Sequence, residues 1–214
     1  MHLWYFWHFV TRLGEAQVVL PVALLIAVSR ARAPESRTNA VRWIILFGAA
    51  VLLTAATKVA FIGWGIGSAA LDFTGISGHA MFAAAAYPSL LATIASGTSR
   101  RTQRLAIAGG CVLALLVGLS RLVLGTHSIS EILAGWLVGG LASCAVLTRS
   151  TPLPAQLRAT MLLTAALWLT MMPATGPSLD THSIVTRVAL KLSGHERPYT
   201  RGTWSARGAL SSFE

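Results

Sequence analysis

His127 and Glu131 are four residues apart. On a helix they share a face, so the carboxylate can orient the imidazole. Arg121 precedes them in SRLVLGTHSISE, residues 120–131, and a second histidine, His79, stands in GISGHAMF, residues 75–82, at the front edge of a long apolar run. Lys58 lies near the end of another such run. Two cations, Lys58 and Arg121, with a helix N-terminus at Ser77 and Gly78, suit an oxyanion such as phosphate. One histidine can attack such a group while the other protonates what leaves. This is triad logic without serine as nucleophile. Two histidines and an acid could also hold a metal, but the adjacent cations argue against it, and neither a metal nor another cofactor is expected.

The elements that bring these residues together must be membrane helices. Of 214 residues, 54% are hydrophobic and 11% charged, against about 25% charged in a soluble domain. The apolar residues form six blocks, about 13–29, 42–62, 78–97, 105–121, 131–148 and 158–174. With flanking residues each approaches the ~20 needed to span hydrocarbon. The expected fold is all-α: a polytopic membrane bundle of about six transmembrane helices over 1–174, then a tail over 175–214.

Within that tail, THSIVTRVALKL (181–192) sets Ile184, Val185, Val188, Ala189 and Leu192 on one helical face and Arg187 and Lys191 on the other. That pattern predicts an amphipathic C-terminal helix on the membrane surface, stopped by Gly194. The aromatic-rich start, MHLWYFWHFV, suits the headgroup layer. Arg12 and Glu15 are spaced for an i,i+3 pair.

The net charge of +10 does not indicate a nucleic-acid partner, because the basic residues sit between apolar blocks rather than on one polar face. Arg30, Arg32, Arg37 and Arg42 fill one loop, Arg100, Arg101 and Arg104 another, and Arg149 and Arg158 a third. These alternate loops share a side, expected to be cytoplasmic. The loop at 63–77 has no lysine or arginine and the loop at 121–130 has only Arg121. Those loops and both chain ends then face outward, although the tail carries Arg187, Lys191, Arg197, Arg201 and Arg207. A cleaved signal peptide is disfavoured, since the arginines follow the first apolar run rather than precede it. Cys111 and Cys144 lie inside apolar runs and read as small core hydrophobes.

Lys58, Ser77-Gly78-His79 and Ser120 through Glu131 together resemble the type 2 phosphatidic acid phosphatase superfamily. Its signature is Lys-x6-Arg-Pro, Pro-Ser-Gly-His and Ser-Arg-x5-His-x3-Asp, set between membrane helices. The resemblance covers roughly residues 11–150. It implies that His127 attacks phosphorus to form a phosphohistidine, that Glu131 orients it, and that His79 protonates the leaving oxygen. Lys58, Ser77, the Gly78 amide and Arg121 would hold the phosphate oxygens. It also implies a membrane lipid as partner and substrate, of the undecaprenyl diphosphate, phosphatidic acid or phosphatidylglycerol phosphate type. With the loop charges, this places the site on the outer, periplasmic face of a bacterial inner membrane.

Three positions depart from the signature. Ile76 replaces its proline, Glu131 replaces its aspartate, and Gly65-Ile66 stand where Arg-Pro would follow Lys58. Arg197-Pro198, in the tail on the same side, is expected to supply the missing guanidinium. A transferase using the same phosphohistidine, or a lipid-binding protein without catalysis, remains open on the sequence. Other features have plainer readings. Ser128 and Glu131 also fit a capping box, the second Ser-Gly-His at 193–195 ends a helix rather than beginning one, and GWGIGS (63–68) follows no strand and reads as a flexible turn. Asp72 is a loop residue or a partner of the site, and His2, His8 and His182 read as interfacial. The sequence does not set the oligomeric state.

Overall fold

The structure, a computed structural model, describes residues 2–147, 151–171 and 181–202. The described residues form eight α-helices: α1 (His2–Arg12), α2 (Ala16–Ala31), α3 (Arg37–Trp64), α4 (Gly78–Ile94), α5 (Arg100–Val123), α6 (Ile129–Leu147), α7 (Ala155–Met171) and α8 (Thr181–Ser193). Helices α2 to α7 coincide with the six apolar blocks. Arg149, Arg207, the last residues of the sixth block and the expected boundary at 174/175 lie outside the described residues.

Local chemistry sets the helix ends. Pro34 opens a short 3₁₀ turn between α2 and α3. Gly65, at φ +69°, closes α3 in the left-handed region that glycine enters without penalty. The Ser99 hydroxyl accepts from the Thr102 N–H and so caps α5. The first block begins later than expected, because the chain bends by 44° between α1 and α2. Gly14 occupies that bend, and a Cβ there would lie 2.6 Å from Val117 and 2.8 Å from the His79 Cβ. Arg12 and Glu15 do approach, at 3.9 Å, but across the bend rather than along one helix.

Helix α4 is the central rod. Its small residues Ala80, Ala83, Ala84, Ala85 and Ala86 are buried, and they let neighbouring backbones come close. Gly135 and Gly139 of α6 pack directly on it. A Cβ on Gly135 would meet the Ser77 carbonyl at 2.7 Å and the Ala80 Cβ at 2.9 Å. Gly110 of α5 meets Pro88 in the same way. The Ser143 hydroxyl of α6 donates to the α4 carbonyl of Ala84. This glycine-mediated contact fixes the starts of α4 and α6 side by side, and the Ser77 N–H donates to the Glu131 carbonyl at 3.1 Å.

The surface is apolar where a soluble protein would be polar. Leu52 is 72% exposed, Leu163 69% and Leu137 66%, and the outer faces of α3, α5, α6 and α7 carry many similar residues. Such a belt marks a membrane-facing protein. By length and composition, Pro34–Trp64 and Arg100–Val123 are each sufficient to cross a membrane, and the bent pair α1–α2 adds a third if its two helices form one span. Helix α4 has 17 residues and is mostly buried inside the bundle.

Arg30 differs from the solvated loop residue that the charge pattern suggests. It is fully buried at the end of α2, where its Nε donates to Thr93 Oγ1 at 2.9 Å. The described tail packs on the bundle: Ala189 and Val185 of α8 cover Phe61 and Ile62 of α3, whereas Ile184, Val188 and Leu192 stay exposed. Beyond Gly194 the chain turns back. The Tyr199 N–H donates to the Ile62 carbonyl at 2.9 Å, and the Tyr199 ring covers Gly65, where a Cβ would lie 2.9 Å from it.

Candidate functional site

The C-terminal ends of α3 and α5 and the N-terminal ends of α4 and α6 meet at one end of the bundle. A cavity of about 490 Å³ opens between them and the returning tail. Lys58, Gly78, His79, Arg121 and His127 line it, so five of the sequence-predicted residues share one space. The basic N-terminal end of α3, at Arg37, lies at the helix end opposite Lys58.

Glu131 sits at the first turn of α6 with no exposed surface. Its Oε2 accepts from His127 Nδ1 at 2.6 Å and from the Ser128 N–H at 3.2 Å. The Ser128 hydroxyl accepts from the Glu131 N–H at 3.4 Å, so the capping box and the histidine contact coexist on one residue. The other oxygen, Oε1, accepts from the Thr74 N–H at 2.7 Å and the Thr74 hydroxyl at 2.5 Å. A buried carboxylate with this many donors is fixed in place and stays ionised. Donation from Nδ1 leaves the lone pair on His127 Nε2, the nitrogen that can act as nucleophile.

His127 lies in the loop between α5 and α6. Burial pushes its imidazole below the usual histidine range, the Glu131 hydrogen bond opposes that shift, and the Lys58 charge adds to it. The ring is therefore neutral near pH 7.

Ser77, the residue before α4, is fully buried, and its hydroxyl has no hydrogen-bond partner among the described residues. It does not line the cavity itself, whereas Gly78 and His79 do. Lys58 lies over this helix start: a Cβ on Gly78 would be 3.9 Å from its Nζ. Gly75, at φ +142°, allows the loop to pass beside the Lys58 backbone and stem. Arg121 donates from Nη1 to Thr11 Oγ1 at 2.7 Å, and its buried Nε has no partner among the described residues. The cavity thus has two cations and the first residues of a helix around one space, with the Ser77 hydroxyl behind them, which suits an oxyanion.

Arg197 is exposed and is not among the residues lining the cavity. Arg201, four residues later, lines it instead. Its Nη2 donates to Glu131 Oε1 at 2.9 Å and to Thr74 Oγ1 at 3.3 Å, while Nη1 pairs with Asp72 Oδ2 at 2.7 Å. Thr74, Arg201 and His182, which also lines the cavity, had no spacing signal that tied them to the site. His195 approaches the Gly63 carbonyl through Nδ1 at 2.7 Å, a structural contact at the end of α3.

The model of the PAP2 superfamily matches residues 64–153, the stretch that carries Ser77-Gly78-His79 and Ser120 through Glu131. A protein from Klebsiella pneumoniae described as an uncharacterized 22.5 kDa protein in cps region is 35% identical over 201 residues, covering 91% of this chain and 95% of the relative. No solved structure gives a significant match.

Proposed function

The chain belongs to the PAP2 superfamily, whose members are phosphatases, and from that premise we propose that it hydrolyses a lipid phosphate or diphosphate through a phosphohistidine on His127. The observation that carries the reading is the His127–Glu131 pair at 2.6 Å, facing one cavity with His79, Lys58, Arg121 and the start of α4. Phosphate oxygens bind between the Lys58 and Arg121 side chains and the amides at Gly78 and His79, with the Ser77 hydroxyl behind them. His127 Nε2 attacks phosphorus in line. The N–P bond forms as the P–O bond to the lipid breaks, and His79, which takes up its proton when the phosphate anion lies beside it, gives that proton to the departing oxygen. Neutral His79 then takes a proton from water, which attacks phosphorus and releases His127.

The lipid part of the reading rests on placement. The cavity lies at the end of helices with an apolar outer belt, and Phe61, Ile62, Phe82 and Val185 line it beside the polar groups. A headgroup fits the polar side and a hydrocarbon chain the apolar side. The basic loops at the far end support an outward-facing site in a bacterial inner membrane with six crossings, and α8 on the membrane surface. The test is phosphate release by the detergent-purified protein from a panel of lipid phosphates and diphosphates, with and without EDTA. Release that survives EDTA and disappears in His127→Ala supports the reading. Release from soluble phosphate esters alone contradicts its lipid part, and release that survives in His127→Ala contradicts its mechanism.

A further inference from the structure

We propose that Arg201 is a positioning residue for this reaction: from the C-terminal tail it clamps the Glu131 carboxylate so that the opposite oxygen faces His127. The inference rests on the phosphohistidine reading above and extends the site beyond the matched stretch 64–153, into a part of the chain 70 residues from Glu131.

Three observations meet at Arg201. Its Nη2 holds Glu131 Oε1 and its Nη1 holds Asp72, so one planar fork bridges the start of α6 and the loop before α4. Such a two-nitrogen bridge suits arginine and not lysine. Asp72 stands at φ +47°, the one non-glycine residue in the left-handed region among the described residues, so its backbone holds a conformation that needs support from its surroundings. The tail is itself anchored, by Tyr199 on Gly65 and Ile62 and by His195 on Gly63, so Arg201 approaches from a fixed base.

Thr74 and Arg201 together occupy Oε1, which leaves Oε2 for His127 and the Ser128 amide. Without Arg201 the carboxylate loses a charged donor and holds the His127 proton more tightly. The other ionisable groups facing His127 are Lys58 from α3, His79 from α4, Arg121 from α5 and His182 from α8, and none of them touches Glu131. Arg201 is therefore the cation that acts on His127 through its carboxylate.

The variants to compare are Arg201→Met, Arg201→Lys and Asp72→Asn, each assayed for kcat, KM and the acid limb of the pH profile. The expected result for Arg201→Met is a kcat lower by about 10- to 100-fold, the range found when the partner that orients a metal-bound side chain is removed, with KM within about threefold. Its acid limb moves to higher pH. Arg201→Lys recovers part of kcat, because one acceptor can still be held. Asp72→Asn keeps the Glu131 contact and most of the activity. If Arg201→Met does not fold, Arg201→Lys carries the comparison, with kcat below wild type and KM unchanged. A loss confined to KM assigns Arg201 to substrate binding and overturns the proposal. So does a loss in Asp72→Asn equal to that in Arg201→Met, since the bridge then serves only to tether the tail. Titration of the His127 ring in nitrogen-15 histidine-labelled protein separates the two readings. A midpoint raised in Arg201→Met supports the clamp even if no lipid is hydrolysed, and an unchanged midpoint overturns it even if hydrolysis is confirmed.

Discussion

Replacing Glu131 by glutamine keeps the shape of the side chain and removes its charge. The structure decides which way the new amide turns. With its oxygen toward His127, the NH2 group would face the Thr74 N–H at 2.7 Å and the Arg201 Nη2 at 2.9 Å, two donors against a donor in a buried site. With its NH2 toward His127, the conflict is with the Ser128 N–H alone, at the longer distance of 3.2 Å. Each buried unsatisfied donor costs about 1–3 kcal/mol, so the second orientation is favoured. The amide then donates to His127 Nδ1, the ring proton moves to Nε2, and the nucleophilic lone pair is lost. The same tautomer error in a Ser-His-Asp triad costs about 10⁴ in kcat. The expectation for Glu131→Gln is a fall of about 10³–10⁴, equivalent to about 4–5.5 kcal/mol of barrier. The assay is single-turnover phosphate release on folded, monodisperse protein. Retention of more than about a tenth of the wild-type rate would refute the claim that this carboxylate fixes the tautomer.

Other consequences follow from the same geometry. Because burial lowers the His127 proton affinity, the ring is neutral at pH 7 and becomes charged only as pH falls through its depressed pKa. The acid limb of kcat/KM should therefore lie below about 6.5, the unperturbed histidine value, in a pH series on a substrate whose own ionisation is corrected for. Gly135→Ala should separate the starts of α4 and α6, since its Cβ meets the Ser77 carbonyl at 2.7 Å. Overpacking of this kind costs about 1–3 kcal/mol. A displacement of about 1 Å at the site can cost about 10²-fold in rate, so kcat should fall more than tenfold while thermal unfolding shows a folded protein.

The parts of the site that were legible in the sequence are those tied by helical spacing. His127 and Glu131 are one turn apart, and Ser128 completes a capping box, so both contacts follow from local geometry. The six apolar blocks likewise mark α2 to α7, because burial in a bundle and exposure to lipid both select apolar residues. The bend at Gly14 was not legible. It depends on His79 and Val117 packing against a glycine from distant helices. Arg197-Pro198 drew attention because it copies a motif, whereas the tail reverses at Gly194 and docks through Tyr199, which carries Arg201 rather than Arg197 to Glu131. Thr74 and Thr11 were missed for a related reason. Each is an ordinary threonine in sequence, and only the tertiary fold sets one on Glu131 and the other on Arg121.

The reaction proposed for this site turns on a covalent bond between His127 and phosphorus. Its most direct test is to mix the protein with a phosphorus-32-labelled lipid phosphate, quench in alkali during turnover, and map the label by peptide. A phosphoramidate survives alkali and is lost in acid. The expected result is an acid-labile label on the peptide containing His127, absent from His127→Ala. Turnover that persists in His127→Ala, or a label that resists acid and maps elsewhere, would contradict it.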